Sequence, residues 1–116
     1  MTTLTLTRDS TGQNTFIPEF SDLKYETKLS ALVEQTLLIP AYRNLEYPYY
    51  AAIFSFDPGL KVYVALNSTA VIPSSSFLQT DNELNPTGRR VKPGDVLHFI
   101  TEETIAVVNV ILYESK

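Results

Sequence analysis

The chain has 116 residues, of which 44% are hydrophobic and 19% charged, with a formal net charge of −4 and no cysteine. That length fits one domain over residues 1–116 with a single core, and the composition holds enough apolar surface to fold. An acidic chain repels phosphate backbones, so neither nucleic acid nor an anionic membrane is an expected partner. The absence of cysteine removes disulfide frameworks, thiolate zinc sites and cysteine nucleophiles together.

Period-two alternation and turn residues dominate the chain. Leu4 and Leu6 alternate with Thr3, Thr5 and Thr7, which predicts a first strand. No apolar stretch of signal-peptide length follows the first methionine, so a cytoplasmic site of assembly is expected. Residues 8–23 hold Asp9, Ser10, Gly12, Asn14 and Pro18 around Phe16, Ile17 and Phe20, and read as a loop or arm whose aromatic residues need a place to bury. Residues 24–39 admit two patterns. Leu29, Ala31, Val33, Leu37 and Ile39 fit one side of a strand, whereas Leu29, Leu32, Val33, Thr36 and Leu37 fit a helical stripe. Strands with a break near Ser30 agree with the rest of the chain; a short helix is the alternative.

Tyr42, Tyr47, Tyr49 and Tyr50 crowd into nine residues. Tyr49–Phe56 and Leu60–Leu66 then flank Asp57-Pro58-Gly59, where proline presets one turn position and glycine takes the positive φ of the next. This predicts a hairpin. Residues 67–90, rich in Asn, Ser, Thr and Pro, read as a long crossover connection with one short strand around Ser76–Gln79. Lys92-Pro93-Gly94-Asp95 is a second Pro-Gly turn, leading into strands at Val96–Thr101 and Thr104–Tyr113. The last is apolar on both faces, which places it centrally, under a second layer or in a subunit interface. The expected fold is all-β, an antiparallel β-sandwich or jelly-roll-like barrel of about seven or eight strands with an N-terminal arm.

No catalytic motif stands out, and none of catalytic, metal or cofactor residues is expected. His98 is the single histidine, set between apolar neighbours on a strand. Glu102 and Glu103 lie near it in sequence but would point to opposite faces, which argues against a metal site. The other acids, among them Asp9, Asp22, Asp57, Asp81 and Asp95, fall mainly in predicted turns. Four glycines without a glycine-rich loop after a strand give no phosphate cradle. Asn67-Ser68-Thr69 matches a glycosylation acceptor, which carries little weight without a secretion signal, and Arg89–Arg90 is too small for a basic patch. The tyrosine cluster offers rigid amphipathic area suited to core packing, a protein interface or stacking on sugar rings.

The segment Tyr49-Tyr50-Ala51-Ala52-Ile53-Phe54-Ser55-Phe56-Asp57-Pro58-Gly59, followed by Val62-Tyr63-Val64-Ala65-Leu66-Asn67 and by Val91-Lys92-Pro93-Gly94-Asp95-Val96-Leu97 with its closing apolar strand, resembles small virion structural proteins of tailed bacteriophages. The resemblance covers roughly residues 47–113 and none of the N-terminal third. It implies a capsid decoration (cement) protein on the capsid exterior, bound to the major capsid protein as a symmetric oligomer, with a trimer favoured. A tail or baseplate component and a carbohydrate-binding β-sandwich are the alternatives. The contact candidates are Phe16, Ile17 and Phe20 in the arm, with Tyr42, Tyr47, Tyr49 and Tyr50.

Overall fold

A computed structural model describes residues 2–4, 6–8, 10–11, 14–41 and 46–115. Leu23, Tyr25, Thr27 and Leu29 alternate with Lys24, Glu26, Lys28 and Ser30, so one face is apolar and the other wet; this is strand β3 (Leu23–Ser30), after the short strands β1 (Leu6–Arg8) and β2 (Asn14–Pro18). Seven more strands follow: β4 (Gln35–Leu38), β5 (Tyr49–Phe56), β6 (Val62–Leu66), β7 (Asn82–Leu84), β8 (Gly88–Val91), β9 (Val96–Thr101) and β10 (Ile105–Ser115). No helix occurs among the described residues, so the strand reading of residues 24–39 holds.

Two four-stranded antiparallel sheets form the body, one in the order β3-β10-β5-β8 and the other β4-β9-β6-β7. Four of the pairings are nested: β3 with β10, β4 with β9, β5 with β8, and β6 with β7. The chain is thus one long hairpin, closed at the β6–β7 connection and rolled so that its pairs fall alternately into two layers. That is the jelly-roll arrangement of a β-sandwich.

The two Pro-Gly turns are present, with φ of 79° at Gly59 and 88° at Gly94. The first does not close the predicted hairpin, because β5 and β6 lie in different sheets and the turn is instead a crossing between layers; the second joins β8 to β9, which also lie in different sheets. The Asp57 carboxylate accepts the Val107 amide at 3.0 Å, which pins the first crossing to β10. Two further expectations are corrected. Ser76–Gln79 forms no strand, while β7 and β8 lie within the region read as one connection. The segment read as a loop at 8–23 contains β2, which among the described residues pairs with β1 alone.

β10 explains its own composition. It lies inside its sheet, and Ala106, Val108, Val110 and Leu112 face the core while Ile105 on the opposite face is exposed. Across the core stand Val62, Val64, Leu97 and Phe99 of the second sheet. Phe54 and Phe99 meet with ring centroids 6.3 Å apart and planes inclined by 59°, a tilted contact that adds specificity to burial.

Polar ties span both lateral openings. On one side Gln35 accepts the Thr27 hydroxyl at 2.7 Å and donates to the Lys28 carbonyl at 2.9 Å, linking β4 to β3. On the other, Arg89 of β8 makes a forked bond to Glu83 of β7. Arg89 holds the Glu83 carboxyl below its ordinary pKa, but both side chains are about half exposed and the bond ranks as a minor contributor. Asn85 substitutes for a missing strand residue: its side chain accepts the Val62 amide and donates to the Leu60 carbonyl, both at 2.8 Å. Buried Thr101 donates to the Lys61 carbonyl at 2.7 Å.

One turn breaks the usual chemistry. Val33 donates to the Ser30 carbonyl, and the residue between Ala31 and Val33 takes a φ of 62°, yet it is Leu32 rather than Gly or Asn. A leucine held left-handed costs about 1–2 kcal/mol. Leu32 is exposed, so no core packing offsets that cost.

The packing predicts that Phe99→Ala destabilises the domain by about 3–5 kcal/mol, measured by urea denaturation. A loss below about 1 kcal/mol would show that the two sheets do not close on this residue.

Candidate functional site

Strand direction gives the sandwich two unlike ends. Turns 31–34, 57–61 and 102–104 are short and share one end, where β3 finishes and β10 begins. At the other end the chain leaves β6 for the long 67–81 connection, enters β5 after residues 39–48, and turns at 92–95. The N-terminal segment reaches this same end. Leu23 is opposite Leu112, Tyr49 is opposite Ser115, and Thr3 bridges Glu114. The arm root and the tyrosine-bearing segment therefore flank the last residues of β10 from opposite sides.

The contact candidates separate on inspection. Phe16 and Ile17 belong to β2. Phe20 is 93% exposed, with the Lys24 ammonium 5.6 Å from its ring centroid. Tyr42 lies outside the described residues. Tyr47 and Tyr49 are half-buried, and the Arg90 guanidinium lies 4.1 Å over the Tyr49 ring, a cation–π contact that covers one face of it. Tyr50 corrects the reading of the cluster: it is 0% exposed in the core, and its burial, then the nearby Glu114 charge, raises the hydroxyl's pKa. The cause is strand geometry. Adjacent residues point to opposite faces, so Tyr49 and Tyr50 cannot share one platform.

The 67–81 connection carries residues that composition alone did not single out. Its base is tied at four places. Asn67 accepts the Val96 amide at 2.8 Å and donates to Asp95 at 3.0 Å. The Ser68 hydroxyl donates to Asp81 at 2.7 Å. Asn82 accepts the Val71 amide and donates to its carbonyl. Finally, the Glu34 carboxylate contacts His98 Nδ1 at 2.7 Å through one oxygen and accepts the Ala70 amide at 3.1 Å through the other. His98 thus sits on the outer face of the second sheet, between Thr36 and Ala65 in register, and joins Glu34 in holding the base of the connection. No three His, Cys, Asp or Glu side chains gather into a metal-holding set among the described residues.

Beyond Ile72 the connection stands off from the body. Phe77 is fully exposed and Leu78 is 71% exposed. Together with Val71, Ile72 and Pro73 they line an open concavity of about 490 Å³. The sequence signal for this was present: two large apolar residues directly after Ser74-Ser75-Ser76, in a stretch otherwise built for turns. The radius of gyration of 15.7 Å exceeds the roughly 13 Å of a compact domain of this length, as expected of segments that stand clear of the sandwich. The result is a firmly tied base that presents an apolar tip.

Removing the Glu34 carboxylate tests that base. Glu34→Ala is expected to speed hydrogen exchange at Ala70 and Val71 by at least tenfold while the β10 amides keep their protection. Unchanged exchange at Ala70 would show that the carboxylate does not hold the connection.

No family model, no curated protein and no solved structure matches the chain.

Proposed function

We propose that this chain is a structural docking protein of a tailed-phage virion, a capsid decoration (cement) protein that binds the assembled shell from outside. The observation that carries this reading is the exposure of Phe20, Phe77 and Leu78 on segments that leave the sandwich at one end. Each large apolar side chain gains about 1.5–3 kcal/mol on full burial, so three of them amount to a useful anchor once a partner covers them. The pattern-level likeness of residues 47–113 to small phage virion proteins supplies the partner, the major capsid protein.

A symmetric oligomer, with a trimer favoured, fits the same reading, because several weak sites presented together bind with effective concentrations that a single copy lacks. Assembly in a host cytoplasm agrees with a chain that uses no cysteine. The sugar-platform alternative is weakened by the buried Tyr50 and by Arg90 stacked on Tyr49. A tail or baseplate position would use the same anchors and is separated by where the protein lies in purified virions.

The double variant Phe77→Ala/Leu78→Ala is expected to lower occupancy on purified capsids at least tenfold with an unchanged thermal melt, read by quantitative co-sedimentation. Full occupancy with both side chains removed would reject the assignment of these residues.

A further inference from the structure

β10 ends on a buried charge. Alternation along the strand puts Leu112 and Glu114 on its core face and Tyr113 on the other, where the Tyr113 hydroxyl donates to the Glu19 carbonyl. Glu114 is 7% exposed, one step past the last apolar residue on that face. Its amide donates to the Thr2 carbonyl at 2.7 Å and its carbonyl accepts the Leu4 amide at 2.8 Å. Both groups are thus used on one edge of the strand. Tyr50 of β5, its partner in register on the other edge, is a non-hydrogen-bonded neighbour, the kind whose side chain approaches most closely. The carboxylate is therefore held in place at the end of the sandwich that carries the 67–81 connection and the arm root.

That carboxylate has no counter-charge. It makes no hydrogen bond or ion pair with any described residue. The other two buried polar side chains among the described residues, Ser21 and Thr101, each donate to a backbone carbonyl. Two cations of the same sheet are engaged elsewhere, Arg90 over the Tyr49 ring and Lys24 over the Phe20 ring. The Glu114 charge acts on the Tyr50 hydroxyl, adding to burial in raising its pKa. Neither carboxylate oxygen is sealed in, because no enclosed side-chain polar atom among the described residues lacks a partner; an opening to solvent reaches them. Taking a carboxylate largely out of water without a partner opposes folding. A charge kept at that cost points to a contact made outside the chain.

We propose that Glu114 is the acceptor for a cationic side chain, lysine or arginine, presented by the shell protein. This rests on the decoration reading and deepens it by naming the chemistry of one contact, since Glu114 lies at the end that meets the shell. Charge selects the occupant. A chain of net charge −4 attracts a basic surface, and an ammonium or guanidinium head brings the N–H donors that this carboxylate lacks. The long stem of either side chain carries the charge through a narrow opening. A divalent metal ion is a poorer occupant, because among the described residues no three His, Cys, Asp or Glu side chains gather to complete its coordination. Phe20, Phe77 and Leu78 supply apolar area to the same contact, and Glu114 supplies its selectivity for a basic partner.

The free protein and the shell complex test this separately. By nuclear magnetic resonance of the free protein, methylguanidinium or methylammonium chloride, added at constant ionic strength, is expected to move the Glu114 carboxylate carbon and the Tyr50 ring signals along a saturable curve. Sodium chloride should not, and the Tyr50 signals of Glu114→Gln should stay still. On purified shells, Glu114→Gln is expected to lower occupancy at least tenfold in co-sedimentation and to flatten its dependence on salt. Its thermal melt should hold or rise, because an unpaired buried charge has been removed. A carboxylate carbon indifferent to both cations, a melt that falls in Glu114→Gln, or full occupancy of that variant on shells would each overturn the site. If the wild-type chain ignores shells while the cation titration behaves as described, the decoration reading fails, and the shell as the source of the cation with it, whereas the cation-binding carboxylate stands.

Discussion

The fold depends on β10 lying between β3 and β5. This strand of eleven residues is the second half of the outermost pair of the rolled hairpin, and it also supplies the edge onto which β5 docks. Both of its backbone edges are used, so its amides and carbonyls are satisfied by the two neighbours rather than by water. Its inward side chains form one wall of the core against Val64, Leu97 and Phe99. Because its partners come from residues 23–30 and 49–56, the sheet cannot close until the two ends of the chain have met. Such non-local pairing makes folding slow relative to helical domains of similar size.

The same rolling decides where function can reside. Nested pairs leave only short turns at one end and put the longer connections, with the short 92–95 turn, at the other. Short turns are spent on geometry, as at Asp57 and Thr101, whose side chains bind the backbone of neighbouring elements. The long connection is different. Glu34, Asn67, Ser68 and Asn82 fix its base and leave its middle projecting. No buried side-chain polar atom among the described residues lacks a partner, so the exposed apolar tip and the left-handed Leu32 are local exceptions in an otherwise satisfied structure. Both break the ordinary rule in the same direction, placing apolar area in water.

Much of this was legible in the sequence, for physical reasons that vary by element. β5 and β9 show at their observed bounds because period-two burial and a Pro-Gly turn mark them, and the two apolar faces of β10 left it central, under a second layer or in a subunit interface, of which the sheet order shows the central place. The layer of each strand was not legible. A type II turn such as Asp57-Pro58-Gly59 looks the same whether the next strand pairs with the last or crosses over. Residues 57–61 span the roughly 10 Å between sheets easily, at about 3.3 Å per residue. β7 and β8 escaped notice because they are short edge strands whose neighbour Asn85 does a strand's hydrogen bonding through its side chain. At the candidate site Phe20 stands exposed, whereas Tyr50 belongs to the core because sequence adjacency in a strand means opposite faces. Phe77 and Leu78 were read into a short strand around Ser76–Gln79, whereas they form no strand and stand exposed on the connection.

The claim that joins these observations is that the end of the sandwich bearing the 67–81 connection faces a capsid shell. Electron cryomicroscopy of shells assembled with the protein tests it most directly. The account predicts sandwich-shaped density on the outer surface, oriented with the 67–81 connection and the arm root against the shell and with turns 31–34 and 102–104 pointing away from it. Shells without such density, or density attached through the short-turn end, would contradict it.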